Sequence, residues 1–168
     1  MYQSSQIQTM NTTENQNDVA VSYGTQINNK NERMTLVPFS NVIDRIRTGS
    51  DNLDNKTASL RNLPDEERSE YKADNFPYFI PAIFTDNHRL KSNFIRTQSF
   101  VLDFDHVDQL TEKREQLIKD ERVYLLFISP SGDGLKVVCN LDQPITDCEK
   151  YESVYTYYAE ESRKKYGF

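Results

Sequence analysis

Apolar and polar residues alternate most cleanly between Ser99 and Asp105. Phe100, Leu102 and Phe104 fall on one face of an extended chain, and Val101, Asp103 and Asp105 on the other. The pattern predicts a strand over 99–105 with an apolar core side and a presented, acidic side. Helical spacing follows: Val107, Leu110, Leu117 and Ile118 mark one face of a helix ending near Lys119. Val123–Ile128 is a continuous apolar run bounded by turn signals, the pattern of a buried strand. Pro130-Ser-Gly-Asp-Gly134 supplies a fixed φ and two permissive glycines for a turn. Leu135–Leu141 then alternates, with Leu135, Val137, Cys139 and Leu141 opposite Lys136, Val138 and Asn140, so the two strands make a β-hairpin. Past Pro144, Asp147 stands where a helix cap belongs. Tyr151, Val154, Tyr155 and Tyr158 repeat at i, i+3, i+4 and i+7, carrying that helix to Gly167.

The signals before Ser99 are weaker. Residues 1–33 are rich in Gln, Asn, Ser and Thr and hold few large apolar side chains, which predicts a largely disordered polar tail. Val19–Tyr23 is the one stretch there suited to a short strand on an available sheet edge. Ser40 as a cap, then Val42, Ile43 and Ile46 before Gly49, predicts a short helix. Pro64 followed by Asp65, Glu66 and Glu67 predicts another, running to about Lys72. Tyr78–Phe84 reads as a strand that Pro81 confines to an edge or a bulge.

The element order from Ser99 is β-α-β-β-α, which makes the fold class α+β. It supplies five of the six elements of the split βαβ arrangement of ferredoxin-like and RNA-recognition-motif folds, and lacks the last strand. The domain reading is therefore a tail over 1–33, an α/β flanking subregion over 34–98, and a core over 99–168 that is incomplete at its C-terminal end. In that topology the third strand inserts antiparallel between the first two, which brings Lys136 near Asp105 and onto the sheet face of both acids.

Composition narrows the classes. At 168 residues with 36% hydrophobic content, the chain supports one modest core. No apolar run approaches the roughly 18 residues of a membrane helix, and Met1 is followed by polar residues rather than a signal pattern, so a cytoplasmic protein is expected. Cys139, Cys148, His88 and His106 are the only cysteines and histidines, which leaves no zinc cage and no disulfide scaffold. Twenty basic against 26 acidic residues argues against indiscriminate coating of nucleic acid, but not against a metal-bridged polyphosphate or a local basic stripe to which Arg89, Lys91 and Arg96 would contribute.

Asp103 and Asp105 carry the chemistry. Two carboxylates about 7 Å apart on one strand face repel, and Mg²⁺ or Mn²⁺ held between them would relieve the repulsion while neutralising a triphosphate. A helix cap plus a surface ion pair would account for the same two acids without chemistry. Ser129-Pro-Ser-Gly-Asp-Gly-Leu-Lys136 is the second element: Ser129, Ser131, Gly132 and Gly134 allow close approach of phosphate oxygens, and Lys136 adds a point charge. A turn chosen for shape alone is the plainer account. His106 suits a solvated or capping position better than a catalytic one, and the tyrosines of the last helix suit core packing better than base stacking.

With Asp103-Phe-Asp105 on one strand and Ser129–Lys136 in the next hairpin, the chain resembles the archaeo-eukaryotic primase, or primase-polymerase, superfamily. The likeness is closest to the primase-like amino-terminal domains fused to VirE-type helicases in bacterial mobile elements and phages. It covers roughly residues 36–168, including the stretch from Lys72 through Pro81 to Phe94. The resemblance implies that Asp103 and Asp105 are the catalytic metal ligands of the first motif, and that Ser131, Gly132, Gly134 and Lys136 form the nucleotide-contacting second motif, with Lys136 in the place usually held by His. It also implies nucleoside triphosphates, a single-stranded DNA template and a helicase or remaining C-terminal polypeptide as partners. The family's third motif puts a further acid on a strand after the final helix. The chain stops at Phe168, so the expectation is a truncated domain, with the acid-bearing strand at an open edge and with weak or no catalysis alone.

Two other functions fit less of the pattern. A non-catalytic module that binds nucleotide, DNA or a replication partner would use the same hairpin or the open edge. Phosphatase-like phosphoryl transfer would want the Asp-x-Asp on the first strand of a doubly wound sheet, which the early hairpin opposes.

Overall fold

The computed structural model describes residues 8–9 and 19–168. Among these residues eight strands and five α-helices follow in chain order: β1 (Gln8–Thr9), β2 (Ala20–Gly24), β3 (Thr35–Pro38), α1 (Phe39–Thr48), α2 (Asp51–Arg61), α3 (Asp65–Asn75), β4 (Tyr78–Ile80), β5 (Ala82–Phe84), β6 (Phe94–Phe104), α4 (Leu110–Leu117), β7 (Val123–Ile128), β8 (Leu135–Ile145) and α5 (Cys148–Tyr166). The fold is α+β. A five-stranded sheet has the order β1-β7-β8-β6-β5, and a three-stranded sheet the order β3-β2-β4. β8 runs antiparallel to both β6 and β7, so it lies between the two strands joined by α4.

Alternation along β6 and β8 explains the layering. Phe100, Leu102 and Phe104 join Leu135, Val137 and Cys139 in a core closed by Leu117 of α4 and Ala159 of α5, with Tyr151, Val154, Tyr155 and Tyr158 packed around it. The last helix is therefore a packing element. Its cap is the expected one, since the Asp147 carboxylate accepts from the Glu149 and Lys150 amides.

The opposite face is less open than its acids suggest. Val101 of β6, Val138 of β8 and Leu125 of β7 line a second core with Val21 of β2 and Phe39, Val42 and Ile43 of α1; Leu125 and Val138 are fully buried. The large sheet is covered on both faces, and only part of the acid-bearing face reaches solvent.

Several boundaries differ from the sequence reading. The strand expected at Val19–Tyr23 is the central strand β2 of the smaller sheet, and Glu32 accepts from the Thr25 amide and the Tyr78 hydroxyl, so the fold takes in residues assigned to a polar tail; residues 1–7 and 10–18 of that tail lie outside the described residues. Pro81 breaks the expected strand over 78–84 into β4 and β5, which pair in different sheets. The Ser22 hydroxyl donates to the Ala82 carbonyl at 2.7 Å and ties the two sheets at that crossing. The Asp51–Arg61 helix has no amphipathic period to announce it; Ser50 caps it by accepting from the Leu53 amide. At α1, Pro38 rather than Ser40 occupies the cap position, and the Phe39 amide donates to the Val19 carbonyl instead. The helix expected from Val107 begins only at Leu110, because His106 and Gln109 are left-handed.

β6 is also longer than expected, starting at Phe94. Its first part pairs with β5, at Thr97, Arg96 and Phe94. The expected open edge is thus confined to the part of the strand nearer the acids, where no strand pairs on that side among the described residues.

Candidate functional site

Cross-strand register places the candidate residues. Asp103 of β6 is the direct partner of Lys136 of β8, and Phe127 of β7 completes the row. The Lys136 ammonium pairs with the Asp103 carboxylate. The register makes Asp103, rather than Asp105, the neighbour of Lys136. The Asp103 side chain is 43% exposed and that of Lys136 22%, so the pair sits at the margin of the covered face, one row beyond Val101, Val138 and Leu125.

Asp105 lies just past the end of β6 and is exposed. The hairpin holds its backbone closely. A Cβ on Gly134 would come 2.6 Å from the Phe104 carbonyl oxygen and 3.4 Å from Asp105 Cα, so only glycine permits the approach. The Val107 amide donates to the Asp133 carbonyl at 2.7 Å, clamping the segment after the acids to the same turn.

The turn is internally bonded. The Ser129 amide donates to the Gly134 carbonyl at 2.9 Å, and the Gly132 amide to the Ser129 carbonyl at 2.9 Å. The Ser129 hydroxyl accepts from the Gly134 amide at 3.1 Å and lies 2.9 Å from the Ser131 hydroxyl. Ser129 and Gly134 are buried, so they build the turn from within, while Ser131 is half-buried and Gly132, at φ 91°, is exposed. Of the residues expected to meet phosphate, Ser131, Gly132 and Lys136 reach the surface.

Three residues that sequence pattern did not assign join them. Asp133, in the turn, contacts His106 Nδ1 at 2.9 Å. A hydrogen bond from the Ser131 side chain, with added attraction from His106 and Arg68, holds the Asp133 carboxyl below its ordinary value despite partial burial. Arg61, the last residue of α2, crosses to the turn, where its Nε donates to the Pro130 carbonyl at 3.1 Å. Arg68 of α3 braces that corner through Nε to the Leu63 carbonyl at 3.0 Å and a terminal nitrogen to the Arg61 carbonyl at 3.3 Å. Ser50 with Asp51 and Asp54 in the following turn is the signal that would have revealed α2; nothing local indicates where Arg61 points.

The expected basic stripe does not join the site. Arg89 donates to the Ile27 carbonyl and stacks on Tyr78, and Lys91 pairs with Glu152 at 2.8 Å. Lys91 precedes β6 and the acids follow from its far end; eleven residues of strand separate the two sites by roughly 30 Å.

No group of three or more His, Cys, Asp or Glu side chains suited to a metal occurs among the described residues. Two exposed carboxylates fit the mode in which Mg²⁺ takes one or two protein carboxylates and completes its shell with substrate phosphates and water. They do not make a protein-only cage, and Asp103 is paired with Lys136. Among the described residues, no helix is long and apolar enough to cross a membrane.

The chain matches the family model described as BT4734-like, N-terminal domain over residues 71–166. That span is more than half of the 168 residues and holds every strand of the candidate site, so the chain belongs to this family. Arg61 and Arg68 lie outside the matched span. No curated protein and no solved structure matches the chain.

Proposed function

We propose that this BT4734-like N-terminal domain is a metal-dependent nucleotidyl-transfer module of the primase-polymerase kind, serving replication of a mobile element or phage. It takes a nucleoside triphosphate on the Ser129–Lys136 hairpin and a single-stranded DNA template, and works with a helicase or further polypeptide. The observation that supports this reading best is the register: Asp103 faces Lys136, and Gly134 packs on the Asp105 backbone, so acids and small-residue turn converge at one end of the sheet.

Asp103 and Asp105 would hold Mg²⁺ or Mn²⁺ jointly with the triphosphate, and the bound ion supplies charge neutralisation at the phosphates. Lys136 exchanges the Asp103 carboxylate for a phosphate oxygen as the nucleotide enters. In the transfer, the 3′-hydroxyl oxygen bonds to the α-phosphorus while the bond from that phosphorus to the β-phosphate bridging oxygen breaks. Pyrophosphate leaves, and the hydroxyl proton passes to solvent or to a carboxylate. Positioning and charge stabilisation supply most of the rate in such chemistry, which suits a site made of a few fixed polar groups.

A non-catalytic nucleotide-binding role is favoured by one observation, that the acids here do not form a group of three or more side chains placed to hold a metal among the described residues. The test separates the two. dATP binding is titrated with Mg²⁺ and with Mn²⁺, and primer synthesis is followed on a single-stranded DNA template. Binding and synthesis that both vanish in Asp103→Asn support nucleotidyl transfer. Binding without synthesis in the presence of partner polypeptide supports the module. Absence of dATP binding with either ion at millimolar nucleotide refutes both.

A further inference from the structure

We infer that Arg61 is the residue that grips the terminal phosphates of the bound nucleoside triphosphate, an inference that rests on the nucleotide-binding reading above. It follows first from charge. Asp103, Asp105 and Asp133 crowd this end of the sheet, and the ammonium of Lys136 already serves Asp103. A polyphosphate bearing several negative charges meets a net acidic surface there unless another cation faces it.

Arg61 is that cation, and its geometry is set for the task. The Nε bond to the Pro130 carbonyl fixes the guanidinium against the turn, and its terminal nitrogens make no hydrogen bond among the described residues. Those nitrogens form the side of the fork that matches two phosphate oxygens at once. Gly132 lets the guanidinium lie close against the turn: a Cβ there would come 3.2 Å from Arg61 Nε. Ser131 stands beside Gly132 with a half-buried hydroxyl. Arg68 acts differently, since its terminal nitrogen meets Asp65 at 2.7 Å and its other bonds hold the backbone of the α2–α3 corner; it is a positioning residue for Arg61.

The consequence is specificity for phosphate number. Arg61 meets the turn at Pro130 and Gly132, beyond the Asp103–Lys136 row, so a triphosphate is expected to reach it and a monophosphate is not. The experiment measures equilibrium binding of dATP, dADP and dAMP, each with Mg²⁺, to the full chain and to Arg61→Gln and Arg61→Lys. Thermal melts of every variant check folding, and Arg96→Gln at the far end of β6 serves as a charge control. Expected is a loss of tenfold or more in dATP affinity for Arg61→Gln, a smaller loss for Arg61→Lys, and unchanged dAMP affinity. The pH and salt are held fixed, and a short single-stranded oligonucleotide is titrated in parallel. Wild-type dATP affinity in Arg61→Gln overturns the inference while leaving the nucleotide reading intact. Loss of oligonucleotide binding with dATP binding retained also overturns it, assigning Arg61 to the template. Equal loss for dATP and dAMP reduces Arg61 to a support of the turn. Wild-type protein that binds none of the nucleotides overturns the underlying reading and the inference with it.

Discussion

Replacing Gly134 by alanine tests how the hairpin is held to the end of the acid-bearing strand. The added Cβ would sit 2.6 Å from the Phe104 carbonyl oxygen and 3.1 Å from the Ser129 hydroxyl. An ordinary carbon-to-oxygen contact needs about 3.3 Å, so the chains must part by roughly 0.7 Å. The atom in the way is backbone, fixed by the β6–β8 ladder in which Phe104 pairs with Leu135, and cannot rotate aside. Overpacking of this kind costs about 1–3 kcal/mol. Against that, alanine removes about 0.4–1 kcal/mol of unfolded-chain freedom, since Gly134 does not have the positive φ that would strain an alanine.

The net expectation is a loss of about 1–2 kcal/mol, or some 2–8 °C in Tm for a chain of this length. Urea denaturation gives the free energy directly, and an unchanged m-value shows that the denatured ensemble is the same. Gly132→Ala is the comparison. There the penalty is conformational, from φ 91°, and the nearest obstacle is the flexible Arg61 side chain, so about 1 kcal/mol is expected with no shift of the strand ends. If the tight approach sets the site, Gly134→Ala weakens dATP binding more than its stability loss explains. Stability within 0.5 kcal/mol of wild type would refute the packing argument.

Three further outcomes follow from named contacts. Asp120 accepts from Arg122 at 2.9 and 2.7 Å, from Tyr166 at 2.5 Å and from Lys165 at 3.1 Å, with Arg122 the largest influence in holding its carboxyl far below the usual range. A depressed carboxyl contributes stability above its unfolded value near pH 3.9 and loses it as the pH falls further, so Asp120→Asn should cost about 3 kcal/mol at pH 7 and flatten the acid limb of a Tm-against-pH curve; parallel curves for mutant and wild type would contradict this. Burial pushes the Cys139 thiol up to about 12, so at pH 8 a thiol reagent should modify half-exposed Cys148 in the native protein and Cys139 only after unfolding. Lys136→Met removes a partly solvated ion pair that is worth under about 1 kcal/mol, so Tm should hold to within a few degrees while nucleotide binding falls; a large loss of stability would make Lys136 structural.

The core from Ser99 onward was legible because its periodicities are strong and its elements local. β7 falls where the apolar run places it, and α5 where Asp147 and Gly167 bracket it. The N-terminal part was not. β2 is short, sits among polar residues, and owes its place to pairing with β3 and β4 rather than to its own pattern. α2 has a cap but little apolar stripe, burying Leu60 alone. In the site, alternation put Asp103 and Lys136 on one face, yet only the register assigns Asp103 to Lys136. Arg61 is 69 positions from its Pro130 partner, and no local pattern encodes a reach of that length.

The second core also changes what the acids mean. The sheet is packed on one face by α4 and α5 and on the other by α1 and β2, so polar chemistry can be offered only where the cover ends. Along β6, the step from Val101 to Asp103 is that limit, matched on β8 by the step from Val138 to Lys136 and on β7 by the step from Leu125 to Phe127. An uncovered row needs polar residues in any protein, and a single ion pair would satisfy it. It does not need Asp105 one residue past the strand, a glycine so close to that strand end that an added Cβ would meet it at 2.6 Å, and an arginine brought from another helix onto the same turn. Those three features add charge and constraint beyond what closing a sheet requires, and they converge on the margin where the cover ends, where the proposed nucleotide would meet the acids.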